Sequence, residues 1–105
     1  MKKFLLVAAL GALSVPAFAV NAAAAMDLAK KNACMACHGV DKKIVGPAWK
    51  DIGKKYAGDP TAEAQLIAKI KKGSKDVWGP IPMPPNATVK DADIKTMVQY
   101  ILTLK

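Results

Sequence analysis

Cys34-Met35-Ala36-Cys37-His38 sets the terms for the rest of the chain. Two cysteines three positions apart on one helical turn project the same way, and the histidine that follows extends an imidazole beside them. This C-x-x-C-H spacing is the pattern of covalent haem attachment, in which two sulfurs form thioethers with the two vinyl groups of one porphyrin. Three other readings compete. A Cys34–Cys37 disulfide would close a loop too short to constrain the unfolded chain much, and it leaves His38 without a purpose. A thioredoxin-like dithiol should follow a strand, and no strand pattern precedes Cys34. Zinc would find three ligands here and need a fourth, but the 105-residue sequence holds two cysteines and one histidine in all.

Outward from the motif, the chain reads as helical. Asp27 to Asn32 is a cap followed by helix formers that leads into Cys34. Ala48, Ile52 and Tyr56 recur at four-residue spacing and should form a short amphipathic helix ending near Gly58. Asp59-Pro60 is an N-cap with proline at the first helical position, and the helix it opens carries Leu66, Ile67 and Ile70 and stops at Gly73. Thr88-x-x-Asp91 resembles a capping box. Ile94, Met97, Val98, Ile101 and Leu102 then follow the i, i+3, i+4, i+7, i+8 periodicity of one helical face. About four helices are expected, in an all-α domain.

Between the last two helices lies Trp78-Gly79-Pro80-Ile81-Pro82-Met83-Pro84-Pro85-Asn86. Its prolines fix φ and remove amide donors, which forbids helix and central strand. Its Trp, Ile and Met need a surface to pack on. If His38 binds iron, the opposite side must be filled by another group or left open, and the candidates are the five methionines, the lysines, the two tyrosines and the new amino terminus. Met1 leaves with the export segment, Met35 lies inside the attachment loop, Met26 falls on the same side as the motif, and Met97 sits on an apolar helical stripe. Met83 remains, in a stiff loop without packing periodicity. Its thioether is soft, suits ferrous iron and raises the reduction potential relative to two imidazoles.

The amino terminus reads as an export signal: Met1-Lys2-Lys3, an apolar run from Phe4 to Leu13, and the small residues Pro16-Ala17-Phe18-Ala19. Residues 1–25 are assigned to it, with cleavage after a position from Ala19 to Ala25, and residues 26–105 to one domain in the periplasm. The rival reading, a permanent anchor, would need about 20 predominantly apolar residues, a run that Pro16 and Asn21 interrupt. An 80-residue remainder is marginal on its own core, and a bound cofactor would complete its interior.

All 16 basic residues are lysines, against 8 acidic ones, for a net charge of +8, or +6 once Lys2 and Lys3 are removed. Export, the lack of arginine and the lack of a groove-binding motif argue against nucleic acid. Lysine pairs at 30–31, 42–43, 54–55 and 71–72 suit electrostatic steering toward acidic redox proteins or an anionic membrane face.

Taken together, the signal, C-M-A-C-H, V-G-P-A-W, V-W-G-P-I-P-M-P-P-N and the closing I-L-T-L-K resemble the small periplasmic class I monohaem cytochromes c of the c-551/c-552 type, from about Met26 to Lys105. The resemblance implies one covalently bound haem c on Cys34 and Cys37, with iron between His38 and Met83. It implies a Pro47 carbonyl on the His38 ring N–H, Asn86 at the Met83 sulfur, and the Trp78 indole N–H on a haem propionate. Lys69 stands where some members place a propionate-binding arginine, and lysine lacks the bidentate fork. The expected protein is a monomeric electron carrier and not an enzyme. The alternatives are a haem protein with an open distal site, which would lack a distal histidine or arginine here, and a thiol-disulfide enzyme.

Overall fold

The computed structural model describes residues 20–105, so the reading of residues 1–19 lies outside it. The element order is α1 (Ala22–Lys31), a 3₁₀ turn (Cys34–Ala36), α2 (Trp49–Lys55), α3 (Ala62–Lys72) and α4 (Asp91–Thr103). No strand occurs among the described residues; two isolated bridges, His38 with Lys43 and Ser74 with Met83, tie loops together. Helix α4 is the hub, against which α1, α2 and α3 all pack.

The periodicity expected of α4 matches its burial. Ile94, Met97, Val98 and Ile101 are all buried, each contributing roughly 1.5–3 kcal/mol through removal of apolar surface from water. On α2, Trp49 meets Tyr100 of α4 edge-on, with ring centroids 6.1 Å apart and planes at 72°. The first amides of α2 have no intrahelical acceptor. Trp49 and Lys50 solve this by donating to the carbonyls of Gly39 and Val40 at 2.9 and 3.0 Å, which pins the loop after His38 onto the helix.

Three helix starts differ from expectation. Helix α1 begins at Ala22, not Asp27, because the Asn21 side chain accepts from the Ala24 amide at 2.9 Å and the alanines that follow are the best helix formers. Ala25 and Ala29 are fully buried, so this helix extends into the alanine run assigned to the export segment. Helix α3 begins at Ala62, after a turn in which the Asp59 carboxylate accepts from the Thr61 amide (2.8 Å) and hydroxyl (2.7 Å). Helix α4 takes no side-chain cap, Thr88 included. Lys71 reaches across from α3 and ties down this helix start, donating to the Val89 carbonyl at 2.9 Å and to Asp91 Oδ1 at 2.7 Å.

Candidate functional site

The attachment motif is a single tight turn. Ala33 enters it at φ 59°, and the amides of Cys37 and His38 both donate to the Cys34 carbonyl, at 3.1 and 3.0 Å. The turn is locked from the far side as well, because the Cys37 carbonyl accepts from Val45 (3.1 Å) and Gly46 (2.8 Å). Cys34 and Cys37 are not joined to each other. Burial pushes the Cys34 thiol up from its ordinary pKa, and the neighbouring Cys37 adds to the rise.

His38 is the buried polar residue of the described chain, at 8% exposure. Its Nδ1 lies 2.7 Å from the Pro47 carbonyl. A carbonyl can only accept, so Nδ1 carries the proton and Nε2 is left with the lone pair a metal needs. Gly46 presses against the same ring: a methyl group there would sit 2.7 Å from Cε1. The ring is thus fixed by a hydrogen bond at one nitrogen and by backbone contact on its side. The motif singles out the histidine, but the neighbouring glycine carries no comparable signal in a single sequence.

A cavity of about 440 Å³ opens beside this turn, a size typical of sites for small ligands and cofactors. Cys34, Cys37 and His38 line it together with Pro47, Lys69, Trp78 and Met83, and with Trp49, Ile52, Leu66, Met97 and Ile101 from the core. Seven of the eight residues expected at the site therefore share one space. Asn86 is not among the lining residues; its side-chain amide donates to the carbonyls of Ile70 and Pro84, both at 3.3 Å. Trp78 is 39% exposed, with the Lys55 ammonium 5.0 Å from its ring centroid. Met97, expected as core filler, is buried and also faces the cavity. Around the opening, Ile44, Val45 and Ile81 are exposed, next to Lys43 and Lys75.

Met83 is half-buried, and its backbone pairs with Ser74. The Met83 amide donates to the Ser74 carbonyl at 2.8 Å, and the Ser74 amide returns a bond at 3.1 Å. Gly73, which ends α3, allows that approach. Its φ of +81° and ψ of 170° lie in a region only glycine occupies readily, and an added Cβ would stand 2.7 Å from the Met83 carbonyl oxygen.

The donor set fits a haem. Two cysteines share the cavity with one imidazole whose Nδ1 is already bonded, a thioether lines the same space, and the remaining lining is mainly aliphatic and aromatic. Zinc fits poorly, since no group of three His, Cys, Asp or Glu side chains suited to a metal ion occurs among the described residues.

Comparison with known proteins agrees with this chemistry. The family model for cytochrome c matches residues 22–105. Cytochrome c-552 of Nitrosomonas europaea is 61% identical over 79 residues, covering 75% of this chain and 77% of the relative. Cytochrome c-552 of Hydrogenobacter thermophilus is 50% identical over 105 residues, spanning both chains fully. The crystal structure of wild-type Nitrosomonas europaea cytochrome c552 superposes with a TM-score of 0.74 at 60% identity, over 76% of this chain and 99% of that one.

Proposed function

Since the chain belongs to the cytochrome c family, we propose that it is a monomeric periplasmic carrier of single electrons, with haem iron held between His38 and Met83 and no substrate transformed. It is an all-α protein of the small class I type, with covalently bound haem c, and its relatives are electron carriers. The single observation that supports the finer reading is the shared cavity, in which the Met83 thioether accompanies both cysteines and the imidazole.

The bound haem supplies a one-electron ferric/ferrous couple. Cys34 and Cys37 anchor it through thioethers, and His38 offers Nε2 while Pro47 holds the opposite ring nitrogen. Such a partner fixes tautomer and ring orientation. Met83, whose thioether lines the same cavity, would hold the iron from the side opposite His38 and so would keep out water, oxygen and other small ligands. One electron arrives from a donor protein and the same electron leaves to an acceptor, with no atom transferred. Lys69 and Trp78 are assigned to the haem propionates, and Asn86 to fixing the end of the Met83 loop. Residues 1–25 direct export, with cleavage after a position from Ala19 to Ala25; cleavage early in that window retains the Asn21 cap of α1.

Exposed Lys42, Lys43, Lys54, Lys55 and Lys75 favour approach by acidic partners, because long-range attraction raises encounter rates more than affinity. Stopped-flow electron transfer to an acidic redox protein should slow steadily as salt rises, and a flat response would remove the steering reading. The native ferrous protein should bind carbon monoxide negligibly. Rapid binding would contradict closure of the site by Met83.

A further inference from the structure

The loop that carries Met83 is closed at three points between the end of α3 and the start of α4. Ser74 and Met83 exchange backbone bonds, and the Asn86 amide donates to the Ile70 carbonyl at 2.9 Å. The third closure is Lys71, whose ammonium holds the Val89 carbonyl and Asp91 Oδ1 at 2.9 and 2.7 Å. The four prolines stiffen the segment but donate nothing to its neighbours. Helix α4 has no side-chain cap of its own, so Lys71 is the charged group that fixes where the loop ends. At 34% exposure, its ammonium is partly withdrawn from water, and the bond to a carbonyl adds a directional contact that a surface ion pair lacks.

We propose that Lys71 is a positioning residue for Met83: it clamps the α4 end of the ligand loop to the end of α3 and thereby sets how readily the thioether leaves the iron. This rests on Met83 being the axial ligand. Lys71 is not itself a lining residue of the cavity. It acts by limiting the loop conformations in which Met83 swings away while the four helices stay packed.

The test is titration of the intact ferric holoprotein with imidazole, which competes for the Met83 position, read by loss of the near-infrared thioether-to-iron band. Lys71→Met should raise the apparent imidazole affinity about fivefold, the net effect of losing the two partly exposed contacts of one ammonium. Lys71→Arg, which keeps the charge and donors, should stay close to the native protein. Lys95→Met removes another α3–α4 ion pair, with Glu63 at 3.9 Å, away from the loop, and should leave imidazole affinity unchanged. An unchanged affinity in Lys71→Met, or an equal rise in Lys95→Met, overturns the clamp while leaving Met83 as ligand. Absence of the band from the native ferric protein removes the ligand assignment and the clamp with it.

Discussion

His38 and Met83 line the same cavity but are held by different kinds of contact. Every tether on His38 comes from nearby in sequence: the Cys34 carbonyl on its amide, the Pro47 carbonyl on its ring, and Gly46 against its side. Met83 has a backbone partner at the same nine-residue separation, Ser74, but the loop that carries it is tied only by longer closures, Ile70–Asn86 across 16 residues and Lys71–Asp91 across 20. Local tethers cost little chain entropy to form, whereas closing a long loop must be offset by the contacts made at its ends. The histidine side is therefore the rigid one. The methionine side is where the site would open first, by local unfolding short of global unfolding.

Two glycines make this difference measurable. Gly73→Ala has the larger expected effect, because alanine would occupy glycine-only backbone and collide with the Met83 carbonyl. A loss of roughly 3 kcal/mol is expected, with the near-infrared band weakened while haem stays attached. Gly46→Ala crowds the His38 ring and should lower stability in denaturant by about 1–3 kcal/mol with that band retained. Equal bleaching in the two variants would erase the distinction between the sides.

The smallest effect is expected away from both ligands. Hydrogen bonds from the Thr61 hydroxyl and amide hold the Asp59 carboxyl below its usual pKa, so ionised Asp59 stabilises the entry to α3. Its contribution is present above the unfolded value of about 4 and is lost as pH falls through the lower folded value. Asp59→Asn should be less stable than the native protein at neutral pH, with the gap closing in acid below about pH 4. Denaturant midpoints at both pH values check this.

How much could be read from the sequence follows the same division. The motif turn and the α4 stripe are local or periodic, and Ile94, Met97, Val98 and Ile101 are buried as their spacing implies. The proline-rich loop announced itself by composition. The start of α1 was misplaced because an alanine run beside an apolar segment looks like signal, although Asn21 was an available cap. The expected Thr88 capping box does not form, because α4 starts at Asp91 with Lys90 at its N-cap position, and the contact that ties this helix start to α3 comes from Lys71, 20 residues from Asp91. The fit of Gly46 to His38 and of Gly73 to Met83 stayed hidden for a similar reason: a glycine's neighbour across a loop leaves no spacing signal. The Asn86 side-chain amide also reaches the Ile70 and Pro84 carbonyls, partners that no spacing in the sequence signals.

The most direct measurement is the near-infrared spectrum of the exported ferric protein beside that of Met83→Ala. The native protein should show the thioether-to-iron band, and the variant should lose it while keeping the mass of one attached haem. A band that persists in Met83→Ala, or a native protein without one, would contradict a site closed by Met83 opposite His38.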